Sequence, residues 1–185
     1  MKRALILAAH PDDEVLGCGG TISKYKKECE FKVVFIGEGS SCRYKDINSK
    51  DSKDAILQRT GLAIKSLNIL GIKNVEFNNL SCGRLDHVPI IEVNKIIEKS
   101  ILEFNPDTVF THSKNDTNND HKIVFNSTLM ATRPGALNNI SRLFSYEVLS
   151  SSEWSFLEVF KPNFFEDIDE NALNDKLKAL EFYFN

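Results

Sequence analysis

The sequence predicts an α/β chain, a Rossmann-like three-layer sandwich with a mostly parallel sheet. Two early runs, Arg3–Ala9 and Phe31–Gly37, are nearly continuous in apolar residues, as strands covered on both faces are. Helical periodicity fills most gaps between the β-rich runs, so strand and helix alternate along the chain. That alternation is most economically met by a mostly parallel sheet with helices on both faces.

The elements follow in order. After the strand Arg3–Ala9, a helical pattern covers about 13–28, and Phe31–Gly37 is the second strand. Segment 38–51 is polar and reads as a loop. The helix over 52–70 carries Ile56, Ala63, Leu67 and Leu70 at steps that sum from threes and fours, and Gly71 ends it as a C-cap would. Asn74–Phe77 is a short strand, 78–89 a polar loop and 90–105 a helix. Asp107–Thr111, a helix over 119–131 and Leu143–Leu149 complete the alternation. Asn171–Phe184 reads as an amphipathic helix with Leu173, Leu177, Leu180 and Phe184 on one stripe. Phe182 and Tyr183 lie off that stripe, so a second face needs cover from the sheet, a further segment or a second subunit in a homo-oligomer.

At 185 residues and 20.9 kDa, the chain is expected to form one domain over 1–185. A formal charge of −3 argues against a general nucleic-acid binder. An apolar content of 42% and an aromatic content of 10% argue against disorder. No apolar run approaches the ~20 residues that span a bilayer. The apolar start, Ala4 to Ala9, is followed at once by acidic residues and reads as a buried strand, not an export signal. Cys18, Cys29, Cys42 and Cys82 form no CxxC pair, so they are expected to be reduced thiols in a cytoplasmic protein.

Chemistry concentrates in Ala8-Ala9-His10-Pro11-Asp12-Asp13-Glu14, where the first strand meets the first helix. Acidic residues at a helix start suit its dipole, but His10 directly after a buried strand has no such excuse. His10 and Asp13, three apart across a tight turn, offer one nitrogen and one carboxylate oxygen to a zinc-like centre. Asp12 can hold the metal's water. A third ligand would come from His87, His112 or His121. His121 has the richest company, in the polar run from Thr111 to His121, with Asp120 placed to fix its ring. Zn2+ suits the donor set, as would Fe, Co or Mn. Arg59 and Arg133 are candidates for substrate contact, and Arg43 reads better as a surface residue. Gly17-Cys18-Gly19-Gly20 lacks nucleotide-loop spacing and is better read as close packing of the first helix on the sheet. Tyr146, Trp154 and Phe156 can stack on a sugar face, although aromatic residues are more often core.

His10-Pro11-Asp12-Asp13-Glu14 together with Asp116-Thr117-Asn118-Asn119-Asp120-His121 resembles the PIG-L/LmbE-type zinc-dependent de-N-acetylases. The resemblance continues through Gly37-Glu38-Gly39-Ser40, Arg59, Ala131-Thr132-Arg133-Pro134 and Tyr146-Glu147-Val148. It implies a Rossmann-like fold, zinc on His10, Asp13 and His121, Asp12 as general base, and N-acetylated sugars of the GlcNAc type, often carrier-linked, as substrates. Family members often carry a further C-terminal segment, which this chain is expected to lack. Some have a histidine where this chain has Asn118, and many a glutamate where it has Leu62. Asn118 can donate a hydrogen bond to the oxyanion but cannot carry a proton. The rival readings are an amidase on another sugar conjugate, a sugar- or metal-binding relative without turnover, and a nucleotide binder.

Overall fold

The computed structural model describes residues 1–136, 139–156 and 158–184. Strands β1 (Arg3–Ala8), β2 (Glu30–Gly37), β3 (Asn74–Leu80), β4 (Thr108–His112) and β5 (Arg142–Tyr146) form one parallel sheet in the order β3-β2-β1-β4-β5. The helices are α1 (Asp13–Tyr25), α2 (Lys50–Ile69), α3 (Ile90–Phe104), α4 (Asn119–Ala131), a single turn α5 (Leu149–Ser152) and α6 (Glu170–Phe184). Strand order reverses between β1 and β4. Their carboxyl ends open the crevice where such sheets place ligands.

Alternate residues of the central strands feed two cores. Ala4, Ile6, Ala8, Val33 and Phe35 face α1, α2 and α6, against Val15, Ile22, Ala63, Leu67 and Ala179. Leu5, Leu7, Ala9, Val34 and Ile36 face α3 and α4, against Val93, Ile97, Ile101 and Val124. Burial on both faces is why β1 and β2 read as unbroken apolar runs. Among the described residues, no helix is long and apolar enough to cross a membrane.

The expected strands and helices are all present, with shifted ends. β3 runs on to Leu80, because it is an edge strand that tolerates Asn78 at a half-buried position and Asn79 at an exposed one. β5 stops at Tyr146, and the chain turns into α5 where strand was expected.

The last helix departs from expectation in its face. Leu173, Leu177 and Phe184 are 45%, 50% and 68% exposed, while Ala172, Ala179 and Tyr183 are buried. The cause lies across the interface, on α1. A Cβ added at Gly19 would meet Lys176 at 3.0 Å, and one at Gly20 would meet Ile168 at 2.8 Å. The glycine run therefore admits the C-terminal segment at close range, which favours the small face of α6 over its leucine stripe. Polar ties fix the docking: Ser23 Oγ donates to Asp175 at 2.6 Å, and Lys176 Nζ to the Leu16 carbonyl at 2.8 Å.

A Cβ at Gly17 would run into the Tyr146 ring, whereas one at Gly61 in α2 meets nothing within 4 Å. Gly17→Ala is expected to cost about 1–3 kcal/mol through overpacking. Gly61→Ala is expected to add about 0.5–1 kcal/mol through helix propensity. Urea unfolding of the two variants beside the parent checks both signs.

Candidate metal centre

β1 and β4 are neighbours, so their ends deliver His10 and the loop into α4 to the same place. Asp13 opens α1 and His121 lies in the first turn of α4. The Asp13 carboxylate sits between the two rings. Its Oδ2 is 3.7 Å from His10 Nδ1 and 3.3 Å from His121 Nε2. The three candidate ligand atoms all lie within 4.8 Å of one another, on buried residues. Two ligands held ~2.0–2.1 Å from one tetrahedral zinc are themselves about 3.4 Å apart, so these spacings suit a small ion between them.

The far side of each ring is anchored to a carboxylate. His10 Nε2 meets Asp120 Oδ2 at 2.8 Å, and His121 Nδ1 meets Asp116 Oδ2 at 2.9 Å. A ring whose outer N–H is held in this way turns its other lone pair inward. Asp120 also accepts the backbone N–H groups of Gly83 and Leu85, at 2.6 and 3.1 Å. Asp116 accepts the Ser151 hydroxyl at 3.0 Å and the Asn118 N–H at 2.8 Å.

The electrostatics match an anionic cage. Burial opposes protonation of His121, but the Asp13 and Asp116 charges overcome it and push its pKa up to about 10. Burial alone would raise the Asp13 carboxyl, yet the His121, His112 and His10 rings hold it well below the usual carboxylate range. The pocket therefore attracts a cation, a proton when nothing else is there. Asp12 beside it is raised to about 6, chiefly by burial and then by the Asp13 charge, with Arg59 pulling the other way.

Asp12 sits at φ 125°, a conformation that L residues rarely adopt. Its N–H donates to Glu14 Oε2 at 2.9 Å, and its carboxylate is paired with Arg59. Arg59 also donates from Nε to the Pro11 carbonyl at 2.9 Å. Its guanidinium lies 4.9 Å over the Tyr183 ring, and the Tyr183 hydroxyl donates to Glu14 Oε1 at 2.8 Å. The wholly buried Glu14 is raised by that burial to about 8. A single chain of contacts thus runs from α6 to the strained aspartate.

Several expectations need correction. Asp120 does not orient His121: adjacent helix residues point about 100° apart, and Asp116, before the helix, takes that position instead. Asp120 holds His10, so it positions the other candidate ligand ring. Arg59 is engaged by Asp12 and by the Pro11 carbonyl. Arg133 lies beyond the far end of α4 and bonds the Met130 carbonyl, about 18 Å along that helix from His121 at 1.5 Å per residue. Tyr146 is buried, with its hydroxyl on the Leu7 carbonyl at 2.8 Å. Trp154 and Phe156 are exposed, and His87 stands in solvent. His112 is wholly buried, accepts the Ala9 N–H on Nε2 at 2.8 Å and is held neutral by that burial and by the His121 charge. Asn118 caps α4, its side-chain oxygen accepting the Asp120 N–H at 3.0 Å.

Asp116, Glu14 and Tyr183 were missed as supports. The signal for Asp116 was its place five residues before a candidate ligand in a loop dense in polar groups. For Tyr183 there was none beyond its lying off the leucine stripe.

Removing either supporting carboxylate, by Asp116→Ala or Asp120→Ala, is expected to weaken zinc binding by about 10- to 100-fold. Asp13→Ala is expected to abolish it. Competition titration against a chromophoric chelator gives the order, and unchanged affinity in all three variants would remove the ion from this pocket.

Residues 5–132 match the family model described as PIG-L: GlcNAc-PI de-N-acetylase. Among curated proteins, the chain is 27% identical over 186 residues to the "uncharacterized deacetylase YaiS" of Escherichia coli strain K12, spanning 97% of this chain and 89% of that one. N,N'-diacetylchitobiose deacetylase from Pyrococcus horikoshii superposes with a TM-score of 0.79 at 24% identity, over 98% of this chain and 69% of that one. The same fold serves another reaction in GalB, the 4-carboxy-2-hydroxymuconate hydratase of Pseudomonas putida KT2440. There the TM-score is 0.74 at 22% identity, over 98% of this chain and 78% of that one. With more than half of its length matched by the family model, and with the buried histidine–aspartate pocket at the head of its sheet, the chain belongs to the PIG-L family of deacetylases.

Proposed function

We propose that this chain is a metal-dependent hydrolase that removes the N-acetyl group from an N-acetylated amino sugar of the GlcNAc type and releases acetate. The observation that carries the reading is Asp12: an acidic group held beside the His10–Asp13–His121 pocket in a strained backbone, and bound to none of those three side chains. Family membership supplies the class of reaction, and the deacetylase relatives support an acetylated sugar as substrate.

His10, Asp13 and His121 would hold the ion, and the nitrogen and oxygen donor set favours Zn2+. When bound, zinc supplies a water of pKa ~7 and polarises the amide carbonyl. The remaining work falls to the chain. Asp12 Oδ2 is tied to Arg59, which leaves Oδ1 to take the proton of the attacking water. Asp12 then returns that proton to the departing amine nitrogen, a role worth about 100- to 10,000-fold in rate. His112, buried and neutral, offers no second acid. Asn118 uses its oxygen on the helix cap, so its Nδ2–H2 stays available to the charge that develops on the carbonyl oxygen. Capping and donation are therefore compatible in one side chain.

The GalB likeness favours one other reading, addition of water to a carbon–carbon double bond in the same pocket. Acetate release separates the two. The metal-loaded protein is expected to liberate acetate from N-acetylglucosamine or N,N'-diacetylchitobiose, and to stop on chelation. No acetate from any N-acetyl sugar or sugar conjugate would defeat the proposal.

Two variants test the roles. Asp12→Asn is expected to lower kcat by at least about 100-fold with zinc content unchanged. Asn118→Asp keeps a cap acceptor while removing the donor, so kcat is expected to fall about 100- to 1,000-fold with little change in thermal stability. Parallel zinc analysis, melting curves and kinetics check both.

A further inference from the structure

All four cysteines are free, and two of them meet. Cys42 is exposed in the loop after β2, and Cys82 is buried in the loop after β3. Their sulfurs lie 3.2 Å apart across 40 residues of sequence. Cys18 and Cys29 are enclosed in the core. The two loops run in near contact: a Cβ added at Gly83 would stand 3.2 Å from Cys42 Cβ. One buried carboxylate joins them already. Glu38 accepts the Ser40 and Ser41 N–H groups at 2.6 and 2.9 Å from one loop, and the Cys82 N–H at 2.8 Å from the other.

We propose that Cys42 and Cys82 are a redox-modification site, which a hydroperoxide converts into a reversible disulfide that draws the two loops together behind His10. Cys42, the accessible thiol, attacks a peroxide oxygen as its thiolate. With hydrogen peroxide, the O–O bond breaks, the departing hydroxide takes up the proton that the Cys42 thiol gave up and leaves as the first water, and Cys42 becomes a sulfenic acid. Cys82 sulfur then attacks the Cys42 sulfur. The S–S bond forms, the S–O bond breaks, and the departing hydroxide takes the Cys82 proton as the second water. Two thiols lose two electrons and two protons, and the peroxide receives them.

The bond reaches the candidate metal centre through its supports. The Cys82 sulfur lies within 4.8 Å of a His10 ring nitrogen and an Asp120 oxygen. The next residue, Gly83, donates its N–H to Asp120 at 2.6 Å, and Asp120 holds His10. Closing the sulfurs to ~2.05 Å moves this junction by about 1 Å, a displacement that can cost about 100-fold in rate. Oxidation is therefore expected to lower turnover. That consequence rests on the hydrolase reading, whereas the cross-link does not.

The test treats purified, zinc-loaded protein with a few equivalents of hydrogen peroxide. Peptide mapping without reductant is expected to show Cys42 joined to Cys82, with accessible thiols in denaturant falling from four to two per chain. The melting temperature should rise by at least about 5 °C for a loop of this length, and dithiothreitol should reverse every change. Acetate release should fall at least tenfold on oxidation and return on reduction. Cys42→Ser should keep its reduced turnover and melting temperature through the same treatment. Absence of the Cys42–Cys82 peptide overturns the proposal, as does a cross-linked protein with unaltered turnover, or equal inactivation of the Cys42→Ser variant. A reduced protein that releases no acetate from any substrate defeats the hydrolase reading instead, and the cross-link and melting shift still decide the site.

Discussion

Everything at the head of the sheet depends on two histidines turned toward one carboxylate oxygen. An imidazole has two nitrogens and no preference between them until one is occupied. Asp120 and Asp116 settle that choice by taking the outer nitrogens of His10 and His121. Each aspartate is in turn pinned by loop backbone or by a serine hydroxyl, so the loops after β3 and β4 are components of the centre even though they contribute no ligand. Loop residues here carry orientation, and the sheet carries position.

The same economy governs charge. Asp12, Asp13, Glu14, Asp116 and Asp120 crowd against three histidines and Arg59, most of them buried. Burying carboxylates is costly unless each is paired and hydrogen-bonded, and each here has a named partner. Arg59 serves Asp12, Tyr183 serves Glu14, and the histidines serve the other three. The cluster remains acidic in balance, which is why a neighbouring ring is driven to hold a proton. An ion of charge +2 answers that imbalance more fully than a proton can.

The fold was legible because its signals are local and repeated. Unbroken apolar runs are what doubly covered strands look like, and Leu67, Leu70 and Gly71 mark a helix and its end without reference to the rest of the chain. His10, Asp13 and His121 were legible as a group through resemblance, and the structure brings them together. The supporting partners were not, because pairing Asp120 with His10 or Tyr183 with Glu14 spans 110 and 169 residues, and no local pattern encodes such pairs. The face of α6 failed for a related reason. Hydropathy marks Leu173 and Leu177 as the inward stripe, but fit against Gly19 and Gly20 of α1 selects Ala179 and Tyr183. Steric fit between distant segments outweighed apolarity within one.

The parallel pairing of β1 with β4, which sets Ala4 opposite Thr108, has a consequence for how the protein comes into being. Such pairing closes a loop of about a hundred residues, an event that is slow because its entropy cost precedes its reward. His10 and Asp13 belong to the first strand–helix unit, whereas His121 arrives only with β4 and α4. A half-folded chain therefore holds two of the three candidate ligands. An ion that needed all three donors would bind only the finished molecule, and its affinity would then add to native stability by mass action. Capture of such an ion would report that β4 has docked on β1.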